Sequence, residues 1–521
     1  MEWGIRYMVH RNSILKPYIK SPFLLLIILL GLVIIWLAGR TDAVMGKPLL
    51  MTWNYDPQLY DPHQSSDPIA YSIFRHTCEP LFYEDYDGTI KGLLAQDDIV
   101  YTNNGQRLII ELRPDIYFHD GSLLDAAAVK QSFDRLKMFG MSPLISQFRN
   151  VQVEITSPNQ IAFELPSPNY DFARLSLSNP YAAIVNTAAD GLPSCTGPYK
   201  FTPDLYTKDH SIILVSTPGY HWPPDYFKNK NRSKIPQINV QFVPEREQRF
   251  DMLLDEQVCL LSINSEQFKR IESDQRFTFF EALGGVTYLG FNFLDERWLN
   301  LEARQAVATG LNKLELAQMG PFVISNMVFG QATTGYDERA ATFGYSFGPI
   351  KSKQLLNKGW QETSFSIDDE IVLLFPTSNT YRELALTIQQ QLRTIGLQNV
   401  RLHEVPRKDI LQKRQEFDLL LFDYAWGDYT ALSTFFGSGP RNLLSYTNSD
   451  IPALIEQSLA TKEPRVKQNF LLHAQKIVLE NAILHPLLTR QIIFAVNKNC
   501  VKQVRLSPFG ELLFHDAYTL N

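Results

Sequence analysis

The feature that most constrains the fold is a strand–helix–strand pattern between residues 371 and 422. Residues 371–375 and 417–422 are short, almost wholly apolar runs, which is typical of strands covered on both faces. We expect Thr380 and Glu383 to form a capping box and Gly396 to close the helix between these strands. Parallel strands joined by a right-handed helical crossover predict an α/β fold. The helix is indicated by apolar residues three or four positions apart: Tyr381, Leu384, Ile388, Leu392 and Ile395.

A polar and aromatic loop at residues 423–429 follows the last of these strands. Open α/β sheets bind ligands beyond the carboxyl ends of their strands, so this loop is a candidate binding site. Asp428 could pair with a ligand ammonium group, and the Trp426 indole could stack on a flat or apolar group. The alternative is that Asp428 caps the next helix, a common task for an aspartate after a strand.

The amino terminus predicts export from the cytoplasm. Residues 23–38 form a long apolar run, with basic residues before it and Thr41 and Asp42 after it. This arrangement is typical of a signal peptide or signal anchor. The run has 16 residues, which is shorter than the about 20 apolar residues that a membrane-spanning helix needs. We therefore expect residues 1–46 to direct the protein to the periplasm. Cleavage after Ala43 would release it, and retention of residues 23–38 would anchor it to the inner membrane.

Charge and cysteine content exclude several classes of protein. The net charge of −6 and the absence of a basic face argue against nucleic acid as a partner. The four cysteines, Cys78, Cys195, Cys259 and Cys500, are too widely spaced for CxxC redox or zinc motifs. An exported protein meets oxidising conditions, where four cysteines allow three pairings, and the sequence does not choose among them.

No motif in the chain predicts catalysis. Residues 344–348 (GYSFG) match the hydrolase elbow GxSxG, but the polar residues before them do not form the apolar strand that such an elbow requires. We therefore expect Ser346 to lie in a plain loop. The sequence contains no HExxH, Walker or dinucleotide-binding motif, so we expect no metal site, no cofactor and no enzymatic activity.

Segments spread along the chain together resemble one family. Their order is similar to that in the family-5 solute-binding proteins of ABC importers, the dipeptide- and oligopeptide-binding group. The matching segments are residues 59–63 (LYDPH), 78–81 (CEPL), 112–121 (LRPDIYFHDG), 196–199 (TGPY), 288–292 (YLGFN), 303–307 (ARQAV) and 352–360 (SKQLLNKGW).

The resemblance implies a two-lobed, periplasmic-binding-protein-like α/β fold of the large cluster-C type, with three domains and a hinge between the lobes. Domains I and II would form one lobe, domain III the other, and closure would enclose the ligand. The implied boundaries are 47–77, 191–287 and 491–521 for the three parts of domain I, 78–190 for domain II and 288–490 for domain III.

The resemblance also implies a function. The protein would capture peptides or a related amphipathic solute and deliver them, as a monomer, to an ABC permease in the inner membrane. In the family, the loop equivalent to residues 426–429 places an aspartate on the ligand's α-amino group, which implies that role for Asp428. Trp426, Gly427 and Tyr429 would line the pocket. The arginine that dipeptide binders carry just before the helix at Tyr381 has no counterpart here.

Three alternatives stay open at this point. Members of the family also carry haem, which aromatic side chains could sandwich. A membrane-tethered sensor or adaptor with the same fold would explain the long amino-terminal extension. A secreted hydrolase would depend on Ser346 alone.

Overall fold

The computed structural model describes residues 46–139, 144–187, 193–331, 333–361, 366, 368–424, 427–439 and 442–520. Within these ranges, no helix is long and apolar enough to cross a membrane. Residues 23–38 and Trp426 lie outside the described residues, so their assigned roles stay predictions. Residues 46–521 form one compact unit.

Short strands make up much of this unit. They are β1 Leu49–Trp53, β2 Phe82–Glu84, β3 Ile90–Gly92, β4 Ala95–Thr102, β5 Arg107–Leu112, β6 Gln152–Ser157, β7 Gln160–Glu164, β8 Asn186–Thr187, β9 Pro193–Ser194, β10 Tyr199–Thr207, β11 Ser211–Ser216, β12 Gln237–Phe242, β13 Leu260–Ile263, β14 Phe277–Phe291, β15 Phe322–Ile324, β16 Ile371–Pro376, β17 Val400–Val405, β18 Leu419–Tyr424, β19 Leu484–Asn497, β20 Val501–Lys502, β21 Arg505–Leu506, β22 Leu512–Leu513 and β23 Tyr518–Thr519.

Most of the longer helices lie in the second half of the chain. The α-helices are α1 Pro68–Thr77, α2 Ala126–Met138, α3 Ile145–Phe148, α4 Arg246–Leu254, α5 Ser265–Ile271, α6 Leu301–Gly310, α7 Lys313–Ala317, α8 Pro349–Gln361, α9 Asn379–Ile395, α10 Ala431–Phe435, α11 Asp450–Leu459 and α12 Pro464–Glu480. Shorter 3-10 or π turns lie at Asn103–Gly105, Ala173–Leu177, Pro180–Ala182, Glu296–Leu299, Glu338–Phe343 and Arg407–Lys413.

The strand–helix–strand prediction is confirmed. Strand β16 pairs in parallel with both β17 and β18, and α9 forms the crossover between β16 and β17. Gly396 ends α9 with a φ of 120°, a conformation that favours glycine. The predicted capping box is wrong in position, because α9 begins at Asn379 and the Ser378 hydroxyl accepts from the Tyr381 amide.

One large sheet runs through the molecule in the order β10-β11-β12-β1-β13-β19-β14-β18-β16-β17, with β15 added beside β19. Strands β14 and β19 are the longest in the sheet, with 15 and 14 residues, and they pair with each other antiparallel. Their register shifts between Leu283 and Val286. The predicted boundaries at 287/288 and 490/491 fall inside these two strands, so both chain crossings between domains I and III would lie side by side.

The segment predicted as domain II has a sheet and a core of its own. Strands β4, β5, β7 and β6 form a four-stranded sheet that packs on α2. Apolar residues from this sheet and helix, including Leu108, Phe133 and Phe163, form one buried cluster. Separate clusters fill the two halves of the large sheet. The domain boundaries themselves stay predictions.

The four cysteines form two disulfides, Cys78–Cys195 and Cys259–Cys500. Cys78 and Cys195 lie at the two chain crossings between the predicted domains I and II, with their Cα atoms 4.8 Å apart. Cys259 precedes β13, and Cys500 lies between β19 and β20. With the predicted boundaries, the first disulfide would tie domains I and II together, whereas the second would link two segments of domain I.

Candidate functional site

Residues 423 and 424 of the predicted binding loop belong to β18, and its described part after the strand starts with an exposed Gly427 and a buried Asp428. An oxygen of Asp428 accepts hydrogen bonds from the Thr430 amide, at 2.7 Å, and from the Thr430 hydroxyl. These bonds fix the turn that precedes α10. The helix-capping alternative is therefore wrong, because the cap residue of α10 is Thr430, and no side chain caps this helix.

The Asp428 carboxylate also meets the opposite domain. Burial raises its pKa above the ordinary range, against hydrogen bonds from Thr430 and from the Gln147 side chain, which favour the charged form. Gln147 belongs to α3 in the predicted domain II, and its own side-chain oxygen accepts from the Ser176 hydroxyl at 2.6 Å. Asp428 therefore lies where the segments predicted as domains II and III touch, and the neutral Gln147 amide faces it from the predicted domain II.

Tyr429 forms a second contact between the same domains. Its side chain is fully buried, and its hydroxyl donates to Asp171. The second Asp171 oxygen accepts from the ammonium group of Lys467 in α12. Burial, followed by the neighbouring Asp171 charge, raises the pKa of the Tyr429 hydroxyl well above its ordinary value. Tyr429 and Lys467 from domain III thus share one carboxylate from domain II.

Backbone and apolar contacts extend this interface. The Tyr170 amide donates to the Leu459 carbonyl oxygen at 2.8 Å. Leu175 from the predicted domain II is buried in a cluster whose other members include Leu471 and Tyr429 of the predicted domain III. These contacts hold the segment predicted as domain II against the one predicted as domain III, and we call this arrangement closed.

A cavity of about 550 Å³ lies along this interface, and we call it the seam cavity. Its volume is within the range of small-molecule sites in proteins. Domain II contributes Ile99, Tyr101, Tyr170, Asp171 and Arg174 to its wall. Domain III contributes Thr334, Gly335, Tyr429, Lys462, Pro464, Lys467, Gln468 and Leu471.

A buried acid outside the interface was missed by the sequence interpretation. Glu79 follows Cys78 at the domain I–II junction and accepts from the Tyr220 hydroxyl at 2.5 Å and from the Trp222 indole at 2.9 Å. The Thr196 hydroxyl is a third donor, also at 2.9 Å. Burial raises the Glu79 pKa to about 7 despite these donors. They belong to separate segments, so we assign Glu79 to the architecture of the junction.

The structure brings together part of what the sequence predicted. Asp428 and Tyr429 both face domain II, Gly427 is exposed beside them, and Trp426 lies outside the described residues. Sequence reasoning missed Gln147, Asp171 and Lys467, because none of them belongs to a motif. Ser346 follows a 3-10 turn and precedes α8, in a loop, as predicted. Among the described residues, no group of three or more His, Cys, Asp or Glu side chains could hold a metal ion.

Comparison with known proteins agrees with this architecture. Residues 89–442 match the model of bacterial extracellular solute-binding proteins, family 5. The glutathione-binding protein GsiB of Escherichia coli K12 is 24% identical over 484 residues, which cover 84% of this chain and 88% of GsiB.

Solved structures with the same fold cover nearly the whole chain. The oligopeptide-binding protein AppA of Bacillus subtilis, solved with a nonapeptide, has a TM-score of 0.73 at 17% identity and covers 92% of this chain and 100% of its own. NikA of Brucella suis, solved with Fe(III)-EDTA, has a TM-score of 0.77 at 20% identity, covering 91% and 100%. The family match and the similarity in fold agree with each other. This chain therefore belongs to the family-5 extracellular solute-binding proteins of bacterial ABC importers.

Proposed function

We propose that this protein captures short peptides between its lobes and delivers them to an ABC permease in the inner membrane. The relatives that bind glutathione and a nonapeptide support peptides as the ligand class. The observation that carries the proposal is the buried carboxylate of Asp428 at the contact between domains II and III.

Asp428 would take the α-amino group of the peptide. Its pKa is raised by burial, and among the described residues no Lys, Arg or His side chain forms an ion pair with it. An ammonium group next to this carboxylate would supply the missing positive charge, and a paired buried charge costs far less than an isolated one. In this mechanism, opening of the lobes withdraws the Gln147 amide, and the peptide ammonium takes its place before the lobes close.

The arginines near the site support ligands of variable length. Arg382, on the first turn of α9, pairs with Glu404 at 2.7 Å, and Arg407 pairs with Asp423. Both guanidinium groups are thus engaged within domain III. Neither of these two arginines is then free for a peptide carboxylate, which suits a site that accepts peptides of several lengths.

The same proposal covers the rest of the chain. Residues 1–46 would direct export to the periplasm, by cleavage or as an anchor. Gly427, Tyr429 and Trp426 would line the peptide site, and the protein would act as a monomer with the predicted domain ranges.

Native mass spectrometry tests the ligand class. Protein produced with export would be measured intact and then denatured to release what co-purified. We expect a ladder of masses that fragment as short peptides. A single porphyrin mass would contradict peptide capture and favour a haem carrier, and a protein that neither carries nor binds peptides would favour the tethered sensor.

The role of Asp428 is tested with a variant that conserves its shape. Asp428→Asn keeps an oxygen for the Thr430 amide but removes the charge. Because losing one partner of a buried ion pair costs about 3–5 kcal/mol, the affinity for trialanine should fall by at least about 100-fold. N-acetyl-trialanine, which has no ammonium group, is the matched control and should bind both proteins equally. Equal trialanine affinities in the two proteins would refute the anchor.

A further inference from the structure

The seam cavity has the architecture of a ligand site of its own. Helix α12 lines it with Pro464, Lys467, Gln468 and Leu471. These positions are separated by three, four and seven residues, so they share one face of the helix. The opposite wall comes from domain II, which means that any molecule in the cavity touches both domains.

The wall of the cavity is positively charged. Arg174, Lys462 and Lys467 line it, and Asp171 is the one carboxylate among the described lining residues. Asp171 is already shared by Lys467 and Tyr429. Arg174 pairs with Glu84 at 2.9 Å behind the wall. The lining groups therefore attract an anion more strongly than a cation.

Lys462 is the cation best placed to receive such an anion. Its ammonium nitrogen stands 4.9 Å from the centre of the Tyr170 ring, and within the described part of the chain it lies within ion-pair distance of no carboxylate. The start of α12 adds to this charge, because the Glu463 side chain does not cap the helix and Pro464 at its first turn lines the cavity.

The remaining lining is apolar and aromatic. Tyr101 and Tyr170 pack edge to face at 5.3 Å, and Ile99 and Leu471 also reach the cavity. Such a surface suits a flat apolar body attached to the anionic group.

We propose that the seam cavity binds the carboxylate of a small organic acid with a flat apolar body, and that its occupant holds domain II against domain III. A ligand that binds only the closed arrangement stabilises that arrangement by mass action. The carboxylate belongs either to a free acid or to the far end of a captured peptide. With a free acid as the source, this site is independent of the function proposed above; with a peptide carboxylate as the source, it rests on that function.

Calorimetric titration with hippurate tests the site. Hippurate carries a benzoyl ring and a carboxylate, and hippuramide is the same molecule without the charge. We expect hippurate to bind and hippuramide not to bind. Equal heats for the two compounds, or no binding of hippurate at about 10 mM, would overturn the proposal.

Charge reversal locates the site. Lys462→Glu should weaken hippurate binding by at least about tenfold, because a like charge then faces the carboxylate. The matched control is Arg465→Glu, because Arg465 is exposed, lies three positions after Lys462 in the first turn of α12 and does not line the cavity. Equal losses in both variants would show only a general effect of net charge and would refute the site.

Competition identifies the source of the carboxylate. If trialanine displaces hippurate from the wild-type protein, the cavity receives the carboxylate of the captured peptide. If both bind together, the cavity serves a separate acid. Asp428→Asn tests the amine anchor through trialanine, and Lys462→Glu tests the seam site through hippurate, so failure of the anchor and failure of the seam site give different results.

Discussion

The hydrogen bond between Tyr429 and Asp171 should control how readily the two lobes separate. The Tyr429 hydroxyl is buried and donates to an acceptor that belongs to the opposite domain. Tyr429→Phe removes this bond and leaves Asp171 with Lys467, so that no buried carboxylate loses its cation. A hydrogen bond to a charged group contributes about 1.5–3 kcal/mol.

This energy converts directly into a change in the opening equilibrium. If the bond exists only in the closed arrangement, its loss should raise the ratio of open to closed molecules about tenfold to 150-fold. Hydrogen exchange measures this ratio, because the Tyr170 amide donates across the interface to Leu459 and is protected only while the domains are closed. Its exchange rate should rise by the same factor.

Tyr288→Phe is the matched control. The Tyr288 hydroxyl is also buried, but it donates to the Val328 carbonyl oxygen within domain III. This variant should disturb domain III and leave exchange at Tyr170 unchanged. An unaltered Tyr170 rate in Tyr429→Phe, or the same change in both variants, would refute the idea that this bond holds the lobes closed.

Three further predictions concern stability. Replacing Cys78 and Cys195 with serine opens a 117-residue loop and should cost about 5 kcal/mol of unfolding free energy in urea titrations, by the chain-entropy estimate; a loss below about 1 kcal/mol would contradict it. The Glu79 pKa is about 7 in the folded protein and near 4.5 in the unfolded chain, so the unfolding free energy should fall by about 3 kcal/mol as the pH rises between these values. Urea titrations repeated across this pH range measure the fall, and Glu79→Gln should abolish it. Gly197→Ala should lower the melting temperature, because its Cβ would lie 2.6 Å from the Thr77 carbonyl group; an unchanged melting temperature would show that the backbone moves aside.

Local interactions explain why parts of this fold could be predicted. The period of apolar residues in α9 and the apolar runs of β16 and β18 are set by neighbours within a few positions, so the pattern alone identifies them. The predicted start of α9 was wrong because Ser378 and Thr380 both carry hydroxyls that can accept a hydrogen bond from a helix amide. The backbone conformation in the folded protein makes Ser378 the cap residue.

The sequence by itself determined the βαβ unit and the turn at Asp428, because both depend on residues close together in the chain. The tertiary structure alone decided that Asp171 would meet Tyr429 and Lys467, residues 258 and 296 positions away. It also selected Cys78–Cys195 and Cys259–Cys500 from three possible pairings. Such contacts produce no periodic pattern in the sequence, because they depend on how distant segments pack against one another. The seam cavity likewise exists only through that packing.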